Sequence, residues 1–202
     1  MAKLLLATNN PGKVREYKSL FQDLPYEVVT LAEQGITVEV EEVGDSLEQN
    51  ARLKATTLVA KSQILTLADD SGLEVDALGG EPGPLSHRYA GEGASDSDRV
   101  NYLLSRLQGI PWPERTARFR CVIALALPGG EVEFCHGECL GIITMEPRGE
   151  TGFGYDPIFY VPELDKTMAE LSLAEKNRVS HRGRAAREAY QVLVRLKDRL
   201  RD

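Results

Sequence analysis

The chain has 202 residues, of which 42% are hydrophobic and 27% charged, and a net charge of −7, the composition of a globular protein with room for a large core. This acidic balance argues against nonspecific nucleic-acid binding, so a polyphosphate ligand would need the few cations gathered in one cleft. No apolar run approaches the roughly 20 residues of a membrane helix, and the N-terminal apolar run is too short for a secretory signal, so we expect a cytoplasmic protein.

The N-terminal segment has the pattern of a strand, a tight loop and a helix. Residues 4–7 form a short apolar run, and Asn10-Pro11 is typical of a helix start. The free N–H groups and the dipole of such a helix can bind phosphate, and the lysine of Gly12-Lys13 adds a cation. A P-loop is excluded because the earlier glycine is missing and Val14 replaces the Ser or Thr. A phosphate site and a capped surface helix both remain open.

A second helix is predicted to begin near Ser46, because Ser46-x-x-Gln49 matches a capping box. One face of this helix carries an apolar stripe of Ala51, Ala55, Leu58, Val59 and Leu65. A separate polar stripe is formed by Asn50, Lys54, Thr57 and Lys61. Residues 67–72 are predicted to be a strand that runs into a turn, and residues 73–78 a further strand.

Residues 79–97 are rich in Gly, Pro and Ser, which predicts a long loop of the kind that is usually functional. Ser95-x-x-Asp98 then predicts a helix through Leu107. Residues 117–127 and 131–144 are predicted to form a hairpin, residues 149–157 a loop, and the chain to end in a helix from about residue 180 to 200. Strands interleaved with helices indicate an α/β domain with a mixed sheet.

The chain has three cysteines, and such a small and odd number argues against a disulfide framework. Cys121 stands alone, whereas Cys135-His136-x-x-Cys139 resembles a metal motif. In a strand, however, the two cysteines of that motif point to one face and the histidine to the other. We therefore favour core packing over a metal site.

Two acidic pairs are candidates for metal and base chemistry. Asp69-Asp70 falls at the predicted end of a strand, where core positions are unlikely for two acids; one can hold a metal while the other acts as a base, or one can cap the turn. Glu41-Glu42 offers further carboxylates, and Mg²⁺ favours carboxylates together with substrate phosphates. Either pair can equally be solvated loop residues.

Two further segments are candidates for nucleotide binding. Phe153 and Tyr155 lie in a predicted loop where they can stack on a base, with Asp156 accepting from ring N–H groups, or they can plug the sheet edge. Ser180 is predicted to cap the last helix, which places His181 and Arg182 at an N-terminus that disfavours cations. A bound anion or an electron-rich ring would offset that cost. The cations predicted to meet in one cleft are Lys13, Lys54, Lys176 and Arg182.

Five motifs occur together in order: Thr8-x-Asn10-x-x-Lys13, Ala68-Asp69-Asp70-Ser71-Gly72-Leu73, Ser86-x-Arg88-Tyr89-x-Gly91, Phe153-Gly154-Tyr155-Asp156-Pro157 and Ser180-His181-Arg182-Gly183. With them the chain resembles the inosine triphosphate pyrophosphatase family, the Ham1-like non-canonical purine NTP pyrophosphatases, over nearly its whole length. The resemblance implies one such domain over residues 1–202, with a two-lobed α/β fold, a long mixed sheet flanked by helices and an active site in the groove between the lobes. It also implies a homodimer and Mg²⁺-dependent hydrolysis of ITP, dITP and XTP to the monophosphate and pyrophosphate.

The resemblance also implies roles for residues by their position in the motifs. Asp70 would be the general base, and one glutamate of the pair Glu41 and Glu42 would help bind the metal, the sequence not deciding which. Asp69 and Asp70 are the further candidate metal ligands. Substrate contacts would come from Thr8, Asn9, Asn10, Pro11, Gly12, Lys13, Lys54, Ser71, Phe153, Gly154, Tyr155, Asp156, Lys176, His181 and Arg182, the last two near the purine. The chain departs from the family pattern at Gln49, where relatives often have Glu, and at His87, to which we assign no role.

Three other functions are alternatives to this one. A Maf-like pyrophosphatase acting on pyrimidine or modified nucleotides would share the fold and differ in the base pocket. A non-catalytic nucleotide-binding sensor would not need the Asp69-Asp70 pair. An RNA-binding protein is disfavoured by the acidic charge.

Overall fold

The computed structural model describes residues 1–38, 40–41 and 44–199. In chain order, the helices and strands are β1 (Ala2–Leu6), α1 (Pro11–Leu20), β2 (Tyr26–Thr30), α2 (Leu47–Ser62), β3 (Leu65–Val75), β4 (Pro82–Gly83), α3 (Asp96–Arg106), β5 (Thr116–Ala126), β6 (Val132–Ile143), β7 (Phe159–Val161), β8 (Lys166–Thr167), α4 (Leu173–Val179) and α5 (His181–Arg199). In this part of the chain, no helix is long and apolar enough to cross a membrane.

The strands form a mixed sheet in the order β2-β1-β3-β5-β6-β7-β8, with β4 paired to β3. β1 is parallel to both β2 and β3, and the helices α1 and α2 make the crossover connections that parallel strands require. β4 pairs with β3, β6 with β7, and β7 with β8 in antiparallel fashion. The predicted α/β fold with a long mixed sheet is confirmed.

The chain divides into two compact units. Unit 1 comprises Met1–Asp70, Cys121–Gly137 and Arg182–Asp202, and unit 2 comprises Ser71–Arg120 and Glu138–His181. In unit 1 the sheet is covered on both faces. Successive strand residues point to opposite faces, so Leu4 packs in a core with Tyr17 of α1 and Leu193 of α5, while Leu5 packs in a second core with Leu58 of α2.

In unit 2 the strands alternate between buried and exposed side chains. Phe119 of β5 and Cys139 of β6 pack in a core with Leu103 of α3. Their neighbours Arg120 and Leu140 point the other way and are exposed. The sheet of unit 2 therefore has one packed face and one exposed face, as antiparallel sheets allow.

The local signals for helix starts are largely confirmed. The side chains of Asn10, Ser46 and Ser95 cap α1, α2 and α3 as predicted. At α2 the capping box is incomplete, because the side chain of Gln49 accepts from the backbone N–H of Asp45 at 2.9 Å instead of from Ser46. The alternation at Cys135, His136 and Cys139 is also confirmed, with both cysteines buried and the histidine exposed.

One prediction of secondary structure is wrong, and one helix was not predicted. The predicted turn at Asp69-Asp70 does not exist, because β3 continues from Leu65 to Val75 as one strand; for the same reason Leu65 belongs to β3 and not to the second helix. Both acids are buried, and they can stay inside the strand because each has a cationic partner, described below. The helix α4 was not predicted, since its seven residues are too few to show a helical period.

Candidate active-site residues

The loop between β1 and α1 has the geometry of an anion site. Asn10 Oδ1 accepts from the Lys13 N–H at 3.1 Å, and Thr8 Oγ1 accepts from the Asn10 N–H at 3.1 Å. Pro11 occupies the first helical turn, which contains no acidic residue. The positive end of the helix dipole is therefore not neutralised by the first turn, and Gly12 beside it is partly exposed.

Asp69 is a buried carboxylate held by two cations. Lys13 Nζ lies 3.0 Å from both of its oxygens, and Arg182 Nε lies 3.2 Å from Oδ2. Burial raises the pKa of Asp69, but the charges of Lys13, Arg182 and Lys54 outweigh burial and hold this pKa well below its ordinary range. Asp69 is therefore charged at neutral pH, and it links Lys13 of α1 to β3.

Arg182 is neutralised within unit 1. Its guanidinium is only 2% exposed, and Nη1 lies 2.8 Å from Glu16 Oε2 while Nε contacts Asp69. Burial lowers the pKa of Arg182, but Glu16 and Asp69 raise it well above its ordinary value. These two carboxylates supply the offset that we had expected from a ligand, so the position of Arg182 no longer requires one. Glu16 was not among the residues predicted for the site.

Asp70, the next residue of β3, points toward α2. Lys54 Nζ lies 3.1 Å from Asp70 Oδ1, and the Asn50 Nδ2 amide donates to Oδ2 at 3.2 Å. Asn50 Oδ1 in turn accepts from the Gly44 N–H at 2.8 Å, which fixes the orientation of its amide. Two of the four residues in the predicted polar stripe thus hold the predicted base. The helical spacing of Asn50 and Lys54 had placed both residues in the polar stripe, but it did not predict which residue they would contact.

The carboxylates suggested for a metal differ in their surroundings. Glu41 is exposed, and Glu42 lies outside the described residues. Among residues 1–38, 40–41 and 44–199, no three His, Cys, Asp or Glu side chains form a group that could hold a metal ion. The oxygen donors nevertheless fit Mg²⁺, which binds through one or two carboxylates together with substrate phosphates and water.

The aromatic loop of unit 2 is folded around Asp156. Asp156 Oδ2 accepts from the Phe153 N–H at 2.9 Å and pairs with Lys176 of α4, whose Nζ lies 4.6 Å from the centre of the Phe153 ring. Phe153 is half-buried, but Tyr155 is buried in the core of unit 2 and donates to Ser86 O at 2.9 Å. Of the two interpretations left open for Tyr155, stacking on a base and plugging the sheet edge, its burial in the core favours the structural one.

The remaining predicted residues of unit 2 are Ser71 and His181. Ser71 lies on β3 and is partly exposed. His181, the first residue of α5, is buried and its ring stacks on Phe119 with the centroids 4.5 Å apart and an interplanar angle of 14°. The ring that accompanies this helix start therefore comes from the protein, whereas the sequence analysis had favoured a ligand.

Comparison with known proteins gives consistent matches over nearly the whole chain. The Ham1 family matches residues 4–192. A dITP/XTP pyrophosphatase of Bacillus subtilis is 48% identical over 96% of this chain and 98% of its own, and that of Desulforamulus reducens is 51% identical over 96% of each. A HAM1 protein structure from Coxiella burnetii has a TM-score of 0.87 at 41% identity, over 96% of this chain and 100% of its own.

Proposed function

Because this chain belongs to the Ham1 family, we propose that it is a hydrolase that converts the non-canonical purine nucleotides ITP, dITP and XTP to the monophosphate and pyrophosphate. The two relatives above, both dITP/XTP pyrophosphatases, support this substrate class. The family match includes residues of both units, which supports treating residues 1–202 as one domain.

The observation that carries the proposal is the convergence of two lysines on consecutive acids of β3. Lys13, from the first turn of α1, contacts Asp69, and Lys54, from α2, contacts Asp70. Cations that can bind a polyphosphate and a carboxylate that can accept a proton therefore lie in one cluster of unit 1. Such a cluster suits hydrolysis of a phosphoanhydride, where catalysis depends on positioning and on charge.

In the proposed mechanism, the loop of residues 8–13 binds the triphosphate through backbone N–H groups and Lys13. Asp70, oriented by Lys54 and Asn50, accepts a proton from the attacking water. The oxygen of that water bonds to phosphorus as the α–β phosphoanhydride bond breaks, and pyrophosphate leaves. Lys54 stabilises the negative charge that develops next to the carboxylate.

We propose that Mg²⁺ binds at Asp70 together with Glu41 or Glu42. A carboxylate can accept about four hydrogen bonds, so Asp70 can keep Lys54 and Asn50 as partners while it binds a cation. Asp69 remains a candidate ligand, although Lys13 and Arg182 already share its two oxygens. When bound, Mg²⁺ would neutralise part of the negative charge of the phosphates.

The nucleotide base is proposed to bind the residues of unit 2. Phe153 offers a half-buried ring, and Asp156 and Lys176 fix the loop that carries it. We also propose that His181 and Arg182 contact the purine. Hypoxanthine and xanthine carry a 6-keto oxygen, which accepts a hydrogen bond from a donor of the protein. Adenine has an amino group at this position, so the same donor would face another donor and stay unpaired, which disfavours ATP.

We also propose a homodimer formed through the exposed sheet face of unit 2. Leu140 is 65% exposed on this face, and the pairing of Ile142 with Tyr160 places Tyr160 beside it. The ring of Trp112 lies 5.4 Å from that of Tyr160 and extends the apolar surface. On neighbouring strands the same face carries acidic Glu74 and the basic pair formed by Arg118 and Arg120. Charges of both signs allow such a face to complement itself in a two-fold dimer.

The function is tested with a panel of ITP, dITP, XTP, GTP, ATP and UTP, measuring pyrophosphate and phosphate separately. We expect pyrophosphate from the first three substrates at rates far above the others. Preference for UTP would indicate a Maf-like pyrophosphatase, and binding of ITP without turnover would indicate a nucleotide sensor.

A further inference from the structure

The aromatic loop of unit 2 has an attachment to α3 that the proposed mechanism does not use. The backbone N–H of Gly154 donates to Asp96 Oδ2 at 2.7 Å. Gly154 lies between Phe153 and Tyr155 and has a φ of +62°, a left-handed conformation that glycine adopts without steric cost. Asp96 therefore holds the loop at its conformationally most free residue.

Asp96 is itself fixed from the segment that precedes α3. Its other oxygen pairs with Arg99, and Arg99 Nη1 donates to His87 O at 3.1 Å and to Ala94 O at 2.6 Å. Burial raises the pKa of Asp96, but the Gly154 N–H and Arg99 outweigh burial, so its pKa lies below the ordinary value. A charged carboxylate is a stronger acceptor for a backbone N–H than a neutral group.

A second contact joins the same two segments. The Tyr155 hydroxyl donates to Ser86 O at 2.9 Å, and Ser86 Oγ accepts from the Leu73 N–H at 2.8 Å. The long segment of residues 79–97, predicted to be functional, thus contacts the aromatic loop at Tyr155 and, through Asp96, at Gly154. Tyr155 is a core residue, so its contact anchors the base of the loop. Asp96 is exposed and holds the turn next to Phe153.

We propose that Asp96 is a positioning residue for base recognition, which holds the turn at Gly154 so that Phe153 is already placed for the purine. This proposal rests on the proposed function, because it requires that the loop of residues 153–156 binds the base. A loop that is ordered before binding avoids the entropic cost of ordering it on the ligand. Loss of Asp96 should therefore weaken binding and base discrimination while leaving bond cleavage nearly unchanged.

The test compares Asp96→Ala with Asp98→Ala. Both substitutions remove one carboxylate from the first turn of α3, but the Asp98 carboxylate accepts from the N–H and the hydroxyl of Ser95, the capping residue, and not, within the described part of the chain, from the aromatic loop. For Asp96→Ala we expect KM for ITP to rise about tenfold, kcat to change less than about twofold, and the preference for ITP over GTP to fall. Asp98→Ala should leave all three unchanged, and Asp96→Asn should restore most of the loss because its amide oxygen still accepts from Gly154.

Hydrogen exchange without substrate gives a measurement that does not depend on turnover. Amide exchange in residues 151–156 should be faster in Asp96→Ala than in the wild type or Asp98→Ala. Equal exchange in the two variants, or a fall in kcat with KM unchanged, would overturn the proposal. If the wild type releases no pyrophosphate from ITP, the proposed function fails first; faster exchange would then show a loop attachment without a role in base recognition, which also overturns the proposal.

Discussion

Lys54 Nζ contacts both consecutive acids of β3, lying 3.1 Å from Asp70 Oδ1 and 2.7 Å from the carbonyl oxygen of Asp69. One ammonium group therefore binds the strand backbone and the proposed base at the same time. Because the backbone contact fixes the lysine, the carboxylate of Asp70 is held in one orientation before any substrate binds. Such preorganisation is what proton transfer from a bound water requires.

Asp70→Asn keeps the shape of this side chain and removes its basicity. We expect kcat for ITP to fall by about 10² or more, with substrate still bound, since general-base catalysis contributes that factor. Steady-state kinetics and equilibrium binding of ITP measure the two effects. A variant with near-normal turnover would place the base elsewhere, with Asp69 as the first alternative.

Asp69→Asn tests the buried charges through stability. The folded-state pKa of Asp69 is lowered below its unfolded value of about 3.9, so its stabilising contribution is fully present above that pH and is lost as pH falls below it. Removing the charge leaves Lys13 and Arg182 without the carboxylate that they share, which should cost about 3 kcal/mol of unfolding free energy at pH 7. Urea unfolding from pH 7 to pH 3 should show this difference shrinking with acid. The exposed Asp23→Asn is the control; an equal difference at every pH would contradict the charge argument.

The same residues show what the sequence could and could not predict. Helix starts at Asn10, Ser46 and Ser95 depend on side chains within three residues of each other, so local patterns predicted them. The course of β3 through Asp69 and Asp70 depends on Lys13 and Arg182, which are 56 and 113 residues from Asp69 in the chain. Local propensity favours a turn at such a pair, and only the folded structure supplies the compensating cations.

Metal dependence follows from the proposed role of the carboxylates. EDTA should abolish release of pyrophosphate from ITP, and added Mg²⁺ should restore it, because a triphosphate in an acidic protein needs its charge neutralised. The measurement is pyrophosphate against phosphate before and after chelation. Release of single phosphates from ITP would contradict cleavage between the α- and β-phosphates, whatever the metal effect.

If the exposed sheet face of unit 2 forms the homodimer interface, a charge placed on this face should prevent dimerisation. Leu140→Arg places a charge in the apolar surface beside Tyr160 and should convert the proposed dimer to a monomer, because burying an unpaired charge in an interface is costly. Light scattering after size-exclusion chromatography measures the mass. Val194→Arg, an exposed apolar residue on α5 of unit 1, is the control and should leave the mass unchanged. A wild-type monomer, or a dimer retained in Leu140→Arg, would reject this surface.

Arg182→Ala separates base reading from charge balance. The substitution leaves the buried carboxylates of Glu16 and Asp69 without their shared cation, so we expect a loss of about 3 kcal/mol in unfolding free energy. If Arg182 also donates to the 6-keto oxygen of the purine, ITP turnover should fall much more than residual ATP turnover, and the gap between the two substrates should narrow.

The control for this experiment is Glu16→Gln, which disturbs the same ion-pair cluster and keeps the guanidinium in place. Urea unfolding and the ITP-to-ATP ratio of kcat/KM are measured on both variants. Contact with the purine predicts a narrowed ratio in Arg182→Ala alone. An equal reduction for ITP and ATP in Arg182→Ala would mean that Arg182 serves the ion-pair cluster, and that base selection depends on the loop held by Asp96 and Asp156.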